Sequence, residues 1–296
     1  MKKKIAIIWG TAFAVSAIAV IATAQHRFRY HDEIEARPLR LVPATVDPGT
    51  SRSTIKESKS KLRLSANGIP DHLVGQFPNR GNPHQISKQK VKLSIPTTPT
   101  SAGAVTRLHM GWNFGVSLNG VVFDPLAAEF WQGNPQSGWS YNTLGGAIAL
   151  GLDANYAHVQ PNGKYHYHGI PSGLVELLDW SPTRHSPLIG YAADGFPIYA
   201  MTGVVNGQVT ELTSSYRLKS GSRPGGNAPT GRYDGTFNED YSYVQGHGTL
   251  DHCNGAFTVS TEYPDGTYAY FLTKDYPVVP RCFTGTPDPS FRFGRR

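Results

Sequence analysis

Eight Asn-Gly or Asp-Gly dipeptides punctuate this 296-residue chain, at Asn67, Asn119, Asn162, Asp194, Asn206, Asp234, Asn254 and Asp265. Both residues of such a pair tolerate the positive φ that tight hairpin turns demand. A chain that reverses so often has little room for long helices. Several pairs sit between β-rich runs, as in "GVSLNGVVFD", "GVVNGQVTEL" and "EYPDGTYAYFL". Tyr-x-Tyr recurs at Tyr165 and Tyr167, Tyr241 and Tyr243, and Tyr268 and Tyr270. Alternation with aromatic enrichment marks strands. Two short helices are expected. "DPLAAEFW" has Asp124 as cap and Pro125 at the first position, and "SGLVELLDW" is the second. The predicted class is mainly β: one irregular β-sandwich or barrel-like domain with long Gly/Pro-rich loops and one or two short helices.

The N-terminus, "MKKKIAIIWGTAFAVSAIAVIATAQ", has three lysines, an apolar run from Ile5 and an Ala-Thr-Ala ending. These are the parts of a secretory signal peptide over residues 1–24, cut before Gln25. An uncleaved membrane anchor is the competing reading. Either way the rest of the chain is expected in the periplasm or outside the cell. Residues 25–61, polar and rich in Arg, Ser and Pro, are expected to form a flexible basic linker. The globular domain is expected over residues 62–288, with 289–296 as a loose basic tail.

The formal net charge is +7. Residues 25–100 carry thirteen Lys/Arg against six Asp/Glu, whereas residues 101–290 carry nine against fifteen. The expected domain is thus acidic and its ends basic. A nucleic-acid binder carries its basic patch on the folded domain, so that class is set aside. The basic linker suits contact with an anionic membrane surface, or simple solvation.

Cys253 and Cys282 are the two cysteines. In an oxidising compartment they are expected to pair. A pair of thiolate metal ligands is the alternative, but the close C-x-x-C spacing is missing.

The chemistry concentrates in "DANYAHVQPNGKYHYHG". In a strand, successive side chains point to opposite faces. His166 and His168 therefore share one face, and Tyr165 and Tyr167 the other. His158 lies across the turn at Pro161-Asn162-Gly163, and the register decides where it points. A two-residue loop, Asn162-Gly163, sets His158 opposite Tyr167. A three-residue loop, Pro161-Asn162-Gly163 with the glycine left-handed, sets His158 opposite His166. Proline ahead of Asn-Gly favours the second. Three imidazoles then share a face, and neutral imidazole is the commonest transition-metal ligand. Zinc or copper is the expected ion. The alternative is a His/Tyr hydrogen-bond network without metal.

His72, Asp194 and Asp251 are candidates for a further ligand or its hydrogen-bond support, although Asp194 and Asp251 also suit turn capping. His247 and His252 flank Asp251, and His109 and His185 stand without supporting context. The marks of common hydrolases, zincins, nucleotide binders and c-type haem proteins are missing.

The blocks "NGIPDH", "FPNRGNPHQI", "GVSLNGVVFDP", "AEFW", "LGLDANYAHVQPNGKYHYHGIPSGL", "GYAADGFPIYA", "LDHCNG", "EYPDGTYAYFLT" and "PRCFTGTPD" occur in order. Together they resemble the YHYH-domain proteins, whose tetrapeptide is Tyr165-His166-Tyr167-His168 here. The resemblance covers about Leu62 to Asp288. His72, His158, His166 and His168 stand on matching positions, whereas His252 fills a variable one. It implies an exported domain of bacterial type and carries no reaction with it. The functional expectation is a copper or zinc module. A metal-dependent hydrolase or oxidase is the second reading. A carbohydrate or adhesion module, resting on Trp112, Trp131 and Trp139, is the third.

Overall fold

The structure, a computed structural model, describes residues 45–293. The chain runs through β1 (Ser53–Ser58), β2 (Lys61–Ala66), β3 (Val91–Pro96), β4 (Thr106–Arg107), β5 (Gly115–Ser117), β6 (Val122–Phe123), β7 (Ala157–Val159) and β8 (Tyr165–Tyr167). It continues through α1 (Ser172–Leu177), β9 (Gly190–Ala192), β10 (Pro197–Ala200), β11 (Thr202–Val205) and β12 (Gln208–Glu211). The last elements are β13 (Tyr216–Leu218), β14 (Tyr241–Tyr243), β15 (Gly255–Thr258), β16 (Thr267–Leu272) and β17 (Cys282–Phe283).

The expected mainly β class holds, and among the described residues no sheet closes into a barrel. The largest sheet has eight strands in the order β15-β16-β10-β9-β5-β6-β8-β7. Two of its pairings, β6 with β8 and β10 with β16, are parallel. Beside it stand the β1-β2-β3 sheet and three two-stranded ribbons. One apolar cluster joins the layers and includes Leu64, Ile95, Phe114, Phe123, Ile198 and Phe283. β8 is interior to the large sheet, and all three of its residues are buried. Such a strand must satisfy the polar atoms of its side chains within the protein.

Two boundaries differ from expectation. The linker predicted over 25–61 is structured where it is described. Val46 pairs with Val74, and β1 pairs with β2 in register from Ser53 opposite Ala66. β1 is a polar, largely exposed edge strand, so its sequence lacks apolar alternation. The tail predicted from residue 289 is also part of the domain. Phe291 is fully buried, and Phe293 donates its backbone N–H to Gly111 O at 2.8 Å. Residues 1–44, with the signal segment and most of the linker, and residues 294–296 lie outside the described residues.

α1 forms where "SGLVELLDW" predicts it, but in "DPLAAEFW" only the last residue, Trp131, enters a helical turn, the 3-10 turn Trp131–Gly133. There the backbone is taken by tertiary ladders: Asp124 donates N–H to Tyr167 O, and Glu129 O accepts from Tyr141 N. Asp124 also accepts from Gln160 Nε2 at 3.2 Å rather than capping a helix. A seven-residue helix saves too few hydrogen bonds to compete.

Candidate metal centre

The β7–β8 hairpin adopts the three-residue loop. Gln160 N donates to Lys164 O at 2.9 Å, and Gly163 N donates to Gln160 O at 2.8 Å. Gly163 takes φ of 82°, and the Asn162 side chain accepts from Lys164 N at 3.1 Å. The register sets Ala157 opposite Tyr167, His158 opposite His166 and Val159 opposite Tyr165. His168 follows β8 and stays in line by donating its N–H to Tyr156 O at 2.8 Å.

The three imidazoles meet on one face. Ring centroids lie 4.7 Å apart for His158 and His166, 4.8 Å for His158 and His168, and 4.6 Å for His166 and His168. The rings are mutually tilted by 58°, 74° and 66°, so none stacks flat on another. One nitrogen from each lies within 4.8 Å of the others. His166 and His168 are buried, and His158 is part-exposed.

Two rings have their tautomer set by a backbone carbonyl. His158 Nδ1 lies 2.8 Å from Leu150 O, and His166 Nδ1 lies 3.2 Å from Lys164 O. With Nδ1–H donating, the lone pair sits on Nε2, the arrangement that orients and activates metal-bound imidazole. The Asn82 amide also lies 3.4 Å from His158 Nδ1, but its better bond goes to Val159 O at 2.8 Å. We therefore assign the His158 tautomer from the Leu150 contact.

The opposite face of β8 is a closed hydrogen-bond network. Tyr165 donates to Asp153 Oδ2 at 2.7 Å. The Tyr167 hydroxyl lies 2.7 Å from His72 Nε2 and accepts from Asn119 Nδ2 at 3.1 Å. His72 Nδ1 in turn meets Leu73 O at 2.8 Å. Burial pushes both phenols well above their ordinary pKa, so they remain donors. Burial also lowers the His72 pKa, against the Leu73 carbonyl and then the field of Asp153, which favour the proton. His72 thus belongs to the tyrosine face and makes no hydrogen bond to the three clustered histidines.

Asp194 and Asp251 lie outside the cluster as well. Asp194 accepts from the Tyr270 hydroxyl at 2.6 Å and from Gly285 N at 2.9 Å, and desolvation raises its pKa. Asp251 caps a turn, accepting from Cys253 N at 2.8 Å and Gly255 N at 2.9 Å, and also from Tyr268. Cys253 and Cys282 are joined as a disulfide. His252 completes a second donor group with these two sulfurs, but the sulfurs are bonded to each other. His185 bonds Ser186 O and Thr258. Trp112 lies under the Arg292 guanidinium at 4.5 Å, and Trp139 packs edge-on against Phe237. Asn82, Asn119 and Asp153, which hold the site's two faces, carried no sequence mark beyond ordinary turn residues.

The set suits a tetrahedral or trigonal metal. Zn–N bonds of about 2.0–2.1 Å would place ligand nitrogens roughly 3.3 Å apart, and the three candidate nitrogens lie within 4.8 Å of one another here. In the comparisons with known proteins, the family described as YHYH protein matches residues 92–285. No curated protein and no solved structure matches.

Proposed function

The chain belongs to the YHYH protein family, and from that premise we propose that it is an exported domain that binds copper or zinc through His158, His166 and His168. The observation that carries this reading is the meeting of three imidazoles on one sheet face, two of them with Nδ1 held by a backbone carbonyl. Three neutral imidazoles match the preferences of both ions. The part-exposed His158 is the side from which an ion enters. A disulfide among the described residues supports an oxidising compartment.

A metal-dependent hydrolase or oxidase, the second reading, would hold its substrate in a cleft beside the metal; the described cavities of about 530, 640 and 400 Å³ are lined by other residues.

The test is elemental mass spectrometry on protein purified from a periplasmic expression host. Near-stoichiometric copper or zinc is expected, lost in a His166→Ala, His168→Ala variant that circular dichroism shows to be folded. Parent protein that stays metal-free after reconstitution would return the cluster to a hydrogen-bonding role. Protons compete with the ion for imidazole, so occupancy is expected to fall as pH drops below about 6.5.

A further inference from the structure

A cavity of about 640 Å³ opens between β4, β13, β14 and β17, away from the histidines. Arg281 is one of its lining residues. The Nε, Nη1 and Nη2 atoms of this guanidinium are buried, and none has a hydrogen-bond acceptor among the described residues. The residue as a whole is only partly buried. Its guanidinium carbon sits 5.8 Å from the Tyr276 ring centroid. The Tyr276 hydroxyl acts on it as a weak partner, short of full hydrogen-bond geometry. A buried cation with its donors empty is costly, and proteins ordinarily give it a carboxylate.

Among the described residues no carboxylate bonds this guanidinium, although the buried Asp124 acts on it electrostatically. Arg107 and Lys219 add two more cations to the wall, against the single carboxylate of Glu239. That carboxylate is turned to Ser140, accepting from its N–H at 2.7 Å and its hydroxyl at 3.0 Å. One part of the wall is aromatic, and Val105, Leu108, Met110 and Leu126 add aliphatic surface. Tyr241 and Tyr276 stack in parallel with centroids 3.9 Å apart, and Tyr216 meets Tyr276 edge-on at 5.6 Å.

We propose that this cavity binds a small organic anion, a carboxylate or phosphate monoester with a flat apolar body. The head group engages the Arg281 fork, which matches such groups two-pronged. The body lies along the tyrosines, and Arg107 and Lys219 draw the anion in. The Arg281 nitrogens are covered in this arrangement, so a ligand reaches them by side-chain rotation at the wall, a common change on binding.

Isothermal titration of the purified protein with phenyl phosphate, benzoate, inorganic phosphate and benzyl alcohol tests this. Phenyl phosphate and benzoate are expected to saturate, benzyl alcohol is not, and inorganic phosphate is expected to bind at least about tenfold more weakly than phenyl phosphate. Arg281→Met is expected to weaken phenyl phosphate about 10- to 100-fold while melting no lower than the parent, since it removes an unpaired buried charge. Should that variant not fold, the Arg281 ¹⁵Nε resonance of the unsubstituted protein must shift on adding phenyl phosphate. No saturation by either organic anion up to about 10 mM, inorganic phosphate binding as tightly as phenyl phosphate, or an unmoved Arg281 resonance would each overturn the proposal. Undiminished binding by folded Arg281→Met would do the same. The His166→Ala, His168→Ala variant is expected to bind phenyl phosphate as the parent does. Affinity that tracks metal content would put the anion on the metal instead and sink the assignment.

Discussion

Three rings of the tetrapeptide meet different partners: Tyr165 meets Asp153, His166 meets Lys164 O, and Tyr167 meets His72 and Asn119. The Tyr167 hydroxyl joins His72 to Asn119, so Tyr167→Phe leaves two buried polar groups short of a bond. Chemical denaturation should show a loss of about 1–3 kcal/mol. The His72 ring adds a pH dependence whose sign follows from its lowered pKa. The unfolded chain takes up a proton on this residue near pH 6.5, whereas the native state resists until lower pH. Stability is therefore expected to fall as pH drops through about 6.5. Urea midpoints of metal-free protein at pH 7.5 and 5.5 should show a gap that narrows in His72→Gln. An unchanged gap would mean that other groups carry the acid sensitivity. The sequence put the tyrosines on one face and marked His72 as a candidate, but the pairings of this network were not legible, because its members lie far apart along the chain. His72 is 95 residues from Tyr167, and Asn119 is 48.

At the scale of the element, the hairpin was the most legible part of the chain. Pro161-Asn162-Gly163 specifies its own loop type, and the loop type specifies which rings face each other. That inference needed local chemistry alone, so it survived. The predicted helix at "DPLAAEFW" rested on local chemistry too, but there Tyr167 and Tyr141 offered the backbone ladder partners that no local pattern reveals. Gly163 is where the hairpin is most exposed to change. Its φ is 82°, and a Cβ there would run into Ser87. Gly163→Ala should cost at least about 1–2 kcal/mol. In a thermal melt that is a loss of about 2–8 °C, with copper or zinc affinity reduced alongside.

For the molecule as a whole, the sequence marked a β domain but placed both of its ends inside the true ones. β1 was read as linker because an exposed edge strand has no apolar face to advertise. The C-terminal strap was read as tail because its arginines conceal one decisive residue, the buried Phe291. Arg292 covers Trp112, and Lys164, next to the hairpin loop, lies 4.4 Å from the Phe293 ring. The strap therefore braces the hairpin that presents the histidines. The disulfide closes a stretch of 29 residues. Removing it as Cys253→Ala, Cys282→Ala should cost about 3.5 kcal/mol in the chain-entropy account. Differential scanning calorimetry should register this as a melting point lower by about 7–14 °C. A drop under a few degrees would mean that the β4–β17 pairing holds that region without the bond.

The interior position of β8, with His168 in line behind it, gives the four letters a grammar. Written His-Tyr-His-Tyr, the same residues would keep their composition, volume and strand preference. Every ring would nevertheless change sides. Phenols would fill the pocket beside His158, and imidazoles would be pressed among His72, Asn119 and Asp153. What the strand contributes is thus word order. A search or a redesign that scores only content would miss it.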